Sequence, residues 1–111
     1  MSGEPKVGDG AAQRVFLQAF NPVRDHQSIA DLSSLVTPDK PKEARLLIVQ
    51  NTGTELIHYT LQRLSAPTAT TGFTLAVEML EPLIIPCEGK DFQFKAIENS
   101  AGAFLELQWA Q

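Results

Sequence analysis

The stretch that decides the fold is residues 92–109, which read FQFKAIENSAGAFLELQW. Apolar and polar side chains alternate on both sides of the turn-forming residues 99–102. A repeat of two residues is typical of a β-strand with one buried face. The stretch therefore predicts two strands joined by a turn. The side chains predicted to point inward are Phe92, Phe94, Ala96, Ala103, Leu105, Leu107 and Trp109.

Runs rich in β-forming residues recur upstream, with turn residues between them. They predict strands over residues 14–20, 44–50, 55–62, 73–79 and 83–85, the last as an edge strand bracketed by Pro82 and Pro86. The strands at 44–50 and 55–62 are separated by four residues that include Gly53, which predicts a hairpin. Residues 23–43 are ambiguous, and the stretch at 28–36 within them is compatible with one helical turn or a short edge strand.

The number and spacing of these strands indicate the fold class. We expect seven or eight short strands in an all-β, antiparallel β-sandwich or jelly-roll-like domain. A chain of 111 residues has room for one such domain. Residues 1–13 hold three glycines and little apolar surface, so they predict an extended N-terminal arm ahead of a single domain at residues 14–111.

Composition excludes several classes of protein. The formal charge is −4 and the nine basic residues are scattered, which argues against direct nucleic-acid binding. The single cysteine, Cys87, excludes an internal disulfide and a zinc module, and favours a reducing compartment. The longest unbroken aliphatic run is residues 46–49, far short of the roughly 20 residues of a membrane span. We expect no membrane partner and no secretion signal.

The residues that most often perform catalysis are few. His26 follows Asp25, but neighbouring side chains in an extended chain point apart, and His58 lies in the middle of a predicted strand. Cys87 precedes Glu88, whose charge disfavours a reactive thiolate. No phosphate-binding, nucleophile-elbow or metal-binding motif occurs. We therefore expect a protein that is not an enzyme, with no catalytic residue, cofactor or metal.

Several segments resemble small structural proteins encoded by tailed bacteriophages. The pattern is an aliphatic strand and turn, a second strand, a Pro/Thr loop that ends in Gly-Phe, and a last strand that begins with glycine. The segments that carry it are residues 49–53, 59–61, 66–73 and 102–109, which read VQNTG, YTL, APTATTGF and GAFLELQW. Together with its length and predicted strands, the chain is similar to the decoration, or cement, proteins of phage heads.

The resemblance implies a function and a place of action. Such a protein would bind across major capsid protein subunits and staple the shell, as a homodimer or homotrimer within a virion assembled in the host cytoplasm. The N-terminal arm would become ordered on binding and would extend the contact farther over the shell. The residues predicted to contact the partner are Pro5 and Val7 in the arm, and Thr68, Thr70, Thr71 and Phe73 in the loop.

Two other functions remain open at this point. The threonine-rich loop at residues 65–72 could bind sugar hydroxyls in a carbohydrate- or ligand-binding β-sandwich. Trp109 and Tyr59 lie on faces with an apolar pattern, so we expect them in the core and not on a sugar-binding surface. A head-completion or tail component is the other alternative.

Overall fold

A computed structural model of the protein describes residues 21–62, 64–89 and 91–111. These residues contain seven strands and no helix. The strands are β1 (Gln27–Ile29), β2 (Leu46–Asn51), β3 (Ile57–Leu61), β4 (Phe73–Leu75), β5 (Leu83–Pro86), β6 (Phe94–Glu98) and β7 (Leu105–Ala110). The predicted arm and the predicted strand at 14–20 lie outside the described residues.

The strands form two antiparallel sheets that pack into a sandwich, which confirms the predicted fold class. Sheet A has the order β1-β7-β2-β5, and sheet B has the order β4-β3-β6. Every residue that the alternation predicted to point inward from residues 92–109 is buried. The Phe92 and Trp109 rings meet edge to face, with 6.3 Å between their centroids. Burying a side chain such as Leu or Phe contributes about 1.5–3 kcal/mol, so these positions supply much of the stability.

The predicted hairpin between residues 44–50 and 55–62 is wrong. Strands β2 and β3 form where expected, but β2 pairs with β5 and β7 whereas β3 pairs with β4 and β6. The connection between β2 and β3 crosses from sheet A to sheet B alongside the connection between β6 and β7. Gly53 fits this crossing because a Cβ on it would lie 2.3 Å from the Gly102 carbonyl oxygen. The crossing therefore takes the place of a tight turn.

A bulge at this crossing bends the paired strands from one sheet into the other. Between the pair Ile57–Glu98 and the pair Asn51–Leu105, one chain has five residues and the other has six. Hydrogen bonds continue across the corner from the Thr52 N–H to the Phe104 carbonyl and from the Asn99 N–H to the Leu56 carbonyl. An extra residue on one strand bends and twists a ladder, and here it makes the corner of the sandwich.

One side of the sandwich is closed by the chain at residues 21–36. The Val23 N–H donates to the Trp109 carbonyl, and β1 then pairs with β7 at the edge of sheet A. Farther along, the Leu32 carbonyl accepts from the Glu98 N–H, and Val36 bridges to Ala96 in β6. The ambiguous region thus contains the short edge strand, and its two ends cover the edges of both sheets. We call this the closed side.

The opposite side, which we call the open side, carries the other two edge strands, β4 and β5. The predicted edge strand at 83–85 is confirmed as β5. The Cys87 N–H donates to the Arg45 carbonyl, and this register turns the backbone of Ile84 and Pro86 away from β2. Pro86 has no N–H, so this edge offers few donors to an added strand.

The predicted strand at 73–79 is too long, because β4 ends at Leu75. Glu78 has a φ of 48°, in the left-handed region that a strand does not use. The N–H groups of Glu78 and Met79 donate to the carbonyls of Gly53 and Asn51 and do not continue a ladder with β3. The chain therefore leaves sheet B after Leu75 and runs over the open side to β5.

Candidate functional site

The threonine-rich segment at residues 64–72, which we call the threonine loop, is held by its own hydrogen bonds. The N–H of Thr68 donates to the Thr71 carbonyl at 3.0 Å, and the reverse bond is 3.3 Å long. The two hydroxyl oxygens lie 2.6 Å apart, and the Thr70 N–H donates to the Thr68 hydroxyl. Side chains and backbone thus close the same four-residue turn, which gives the loop a defined shape.

The threonine loop packs back onto β3. Pro67 is buried, and Gly72 has a φ of 126°, which glycine adopts without strain. A Cβ on Gly72 would lie 3.0 Å from the Pro67 Cβ and 3.1 Å from the Tyr59 carbonyl oxygen. A larger residue at position 72 would push the loop away from the sheet, so Gly72 sets the position of the phenylalanine that follows it.

Two large apolar side chains stand exposed around this loop. Phe73 is 56% exposed and Leu64 is 52% exposed. The Phe73 ring lies 5.7 Å from the Tyr59 ring, which stacks in turn on buried Phe94 at 5.6 Å. The exposed Phe73 ring therefore packs on the core through Tyr59. Between Leu64 and Phe73 lies a cavity of about 440 Å³, whose lining residues are Thr60, Leu64, Ser65, Ala66, Pro67, Thr71, Gly72 and Phe73.

The structure brings together the four predicted contact residues that it describes. Thr68, Thr70 and Thr71 form the turn, and Phe73 begins β4 directly after it. Pro5 and Val7, the other two predicted contacts, lie outside the described residues. Leu64 was not predicted as a contact residue, because the sequence around it has no pattern that indicates exposure. Its exposure follows from the way the loop folds over β3.

His26 has a carboxylate partner distant in sequence. Its Nε2 atom lies 2.5 Å from Glu106 Oε1, and the same oxygen accepts a hydrogen bond of 2.8 Å from the Ser28 hydroxyl. A Ser–His–acid triad needs the imidazole between the hydroxyl and the acid, so that the ring can take the hydroxyl proton. Here the carboxylate stands in the middle. This arrangement fastens β1 to β7 and does not activate Ser28.

The other two candidates for reactive groups are buried. Cys87 is almost fully buried, and burial raises the pKa of its thiol, with Glu88 adding to the rise and Lys40 opposing it. His58 is buried in β3, and its Nδ1 atom has no hydrogen-bond partner. Within the described ranges, no three His, Cys, Asp or Glu side chains lie close enough together to hold a metal ion. Those ranges also contain no helix long and apolar enough to cross a membrane.

Two further surfaces were not predicted from the sequence. The first is a group of exposed apolar side chains at residues 76–83, within a segment whose first residues were predicted to be strand. The second is a cavity beside Lys40, Lys42 and Arg45. Its lining comes from residues that precede β2, follow β5 and follow β7, and only the folded sheet brings these together.

Comparison with known proteins leaves the geometry as the main guide to function. No family model matches the chain, and no curated protein or solved structure shows a significant match.

Proposed function

We propose that the protein is a non-enzymatic structural protein of a tailed-phage head, which binds across neighbouring major capsid protein subunits and reinforces the shell. The observation that carries the proposal is the pair of exposed apolar side chains, Leu64 at the start of the threonine loop and Phe73 directly after it, around a turn fixed by hydrogen bonds. The resemblance of the loop and strand segments to phage structural proteins supports the choice of partner.

The physical properties of the loop suit protein binding. Large exposed apolar groups mark interaction surfaces, and aromatic side chains often dominate the energy of an interface. Phe73 rests on Tyr59, and the Thr68–Thr71 turn holds the loop beside it, so little ordering is needed when a partner binds. Each site can be weak, because many copies on one shell add their effects.

The first prediction concerns the binding of the purified chain to phage heads that were assembled without it. We expect Phe73→Ser to lower affinity at least about tenfold, because an exposed aromatic contact is worth roughly 2 kcal/mol in such interfaces. Leu64→Ser should act in the same direction. The readouts are the number of bound copies per head, counted by cryo-electron microscopy, and the temperature at which heads release DNA.

Leu35→Ser is the matched control, because Leu35 is an exposed leucine on the closed side. It should bind as the wild-type chain does, and the unfolding midpoint of each variant should confirm that it is folded. Equal binding by Phe73→Ser and the wild type would exclude the loop as the contact. A wild-type chain that binds no heads would overturn the proposed function.

A specific observation also favours carbohydrate binding as a second candidate. The exposed Phe73 ring lies beside the turn that carries the hydroxyls of Thr68, Thr70 and Thr71. Sugar rings stack on aromatic faces while their hydroxyls bond to polar groups. A glycan array separates the two functions. Glycan binding that is lost in Phe73→Ser, together with no affinity for heads, would establish the second candidate in place of the first.

A further inference from the structure

We propose that the protein associates head to tail with further copies of itself. In this arrangement an acidic, apolar surface of one copy docks at a basic cavity of the next. The two surfaces lie at opposite ends of sheet A and have complementary charge. The proposal uses neither the threonine loop nor a phage partner, so it stands or falls apart from the proposed function.

The first surface is residues 76–83, which we call the ledge. Leu80 is 62% exposed, the highest value among the large apolar side chains of the described residues, and Val77 and Leu83 of the same segment are also exposed. The ledge also carries Glu78 and Glu81 and no basic residue. Neither glutamate forms an ion pair with another described residue. The ledge therefore presents apolar groups together with two carboxylates that have no ion-pair partner in the described part of the chain.

The ledge is held firmly in place by its central residue, Met79. The Met79 N–H donates to the Asn51 carbonyl at 2.8 Å, and the Met79 carbonyl accepts from the Gln50 side chain at 2.6 Å. The Met79 side chain packs against the core, and the Glu78 N–H donates to the Gly53 carbonyl. A loop anchored in this way loses little conformational freedom on docking.

The second surface is the cavity of about 820 Å³ beside the start of β2, which we call the basic cavity. Its charged lining side chains belong to Lys40, Lys42, Arg45, Glu43 and Glu88, so that cationic side chains exceed carboxylate side chains by one. Lys40, Lys42 and Arg45 form no ion pair with a described residue. Lys42 and Arg45 are exposed and can reach an acidic partner.

The two surfaces are separated by the length of β2 and β5. The basic cavity adjoins Arg45, just before β2, whereas Met79 of the ledge is bonded to Gln50 and Asn51 at the end of β2. Six residues of strand span about 20 Å. A contact between different surfaces at opposite ends of a molecule is heterologous, so each copy keeps one free surface until a ring closes.

Charge also disfavours the main alternative, a symmetric pairing of two ledges. Such a contact would bring Glu78 and Glu81 of both copies together, and like charges in an interface oppose association. Docking at the basic cavity instead gives these glutamates Lys42 and Arg45 as partners. The apolar side chains supply burial, and the charges fix which surface meets which.

The test is sedimentation velocity of the purified full chain over a range of protein and salt concentrations. We expect the wild type to sediment as a multiple of the 12.1 kDa chain at high protein concentration and to dissociate in high salt. The ledge variant Glu78→Lys/Glu81→Lys and the cavity variant Lys42→Glu/Arg45→Glu should each associate at least about tenfold more weakly. Asp25→Lys, a charge reversal on the closed side, is the control and should behave as the wild type.

Mixing the two variants gives the decisive result. Each variant carries two like surfaces, but the mixture again offers opposite charges at every junction, so we expect association to return. A wild type that stays a single chain at every concentration would overturn the proposal. A cavity variant that still associates would also overturn it, because that result requires a contact without the basic cavity. A mixture of the two variants that fails to associate would also overturn the proposal.

Discussion

At the scale of single residues, Asn51 holds the corner where the chain crosses between the sheets. It is fully buried at the end of β2. Its Oδ1 atom accepts from the N–H groups of Gly53 and Phe104, and its Nδ2 atom donates to the Glu55 carbonyl at 2.8 Å. One side chain thus satisfies backbone groups on both chains of the corner, where the ordinary ladder is interrupted.

The second prediction is that Asn51→Ala lowers the free energy of unfolding by about 2–4 kcal/mol. The reason is that three backbone groups at the corner, one buried and two partly buried, lose their hydrogen-bond partner at once. Urea unfolding followed by tryptophan fluorescence would measure the loss, since Trp109 is buried. Asn99→Ala is the control, because Asn99 is exposed. A loss for Asn51→Ala no greater than that for the control would contradict the role of the Asn51 side chain.

Cys87 gives the third prediction, which concerns pH. Burial raises the pKa of its thiol above the ordinary value of 9.0, with a further rise from Glu88 and an opposing effect of Lys40. Above pH 9.0 the unfolded chain loses a proton that the folded chain keeps, so the free energy of unfolding should fall as pH increases. Below that pH the thiol contributes no pH dependence.

The measurement for Cys87 is urea unfolding at several pH values between 9.0 and 10.0, the ordinary pKa values of cysteine and tyrosine. Cys87→Ala should change the overall stability but remove the slope over this interval. Burial also raises the pKa of Tyr59, so a further fall above pH 10.0 should persist in the variant. An unchanged slope between pH 9.0 and 10.0 in Cys87→Ala would contradict the assignment.

At the scale of elements, alternation predicts strands well and their partners poorly. Side chains of β6 and β7 point as their repeat predicts, because burial of one face is encoded locally. The pairing of β2 with β7 instead of β3 depends on contacts between residues far apart in sequence. The Asn51–Gly53 segment has the composition of a turn, and the same residues serve a corner equally well. The sequence therefore predicts the sandwich but not its crossing.

The candidate surfaces differ in the same way. The threonine loop is continuous in sequence, so its turn residues and Phe73 could be predicted as contact residues from the sequence alone. The basic cavity combines residues around Lys42 with Glu88 and Gln111, so it exists only once sheet A has formed. At the ledge, the apolar pattern of residues 73–79 suggests a longer β4, and the left-handed conformation of Glu78 is not encoded by residue type. A sequence pattern therefore identifies a surface formed by consecutive residues, but not one assembled from distant parts of the chain.

At the scale of the whole molecule, the closed and open sides differ in how their strand edges are covered and in how many exposed apolar side chains they carry. Residues 21–36 cover the edges of β6 and β7, whereas the ledge runs over the open side between β4 and β5. Among the described residues, four of the six exposed large apolar side chains fall within residues 73–83. The open side therefore carries most of these exposed apolar side chains, and the closed side offers positions for control substitutions.

The fourth prediction concerns the N-terminal arm, for which the contacts of Pro5 and Val7 were predicted. Among the described residues the buried core cluster is built from positions between Leu32 and Trp109, and the sequence of residues 1–13 holds little apolar surface. We therefore expect the shortened chain to unfold in urea as cooperatively as the full chain, and to bind phage heads more weakly. The matched comparison is Pro5→Ala/Val7→Ser in the full chain, which should weaken binding in the same direction. Head binding by the shortened chain equal to that of the full chain would exclude the arm as a contact, whatever the result for Phe73→Ser.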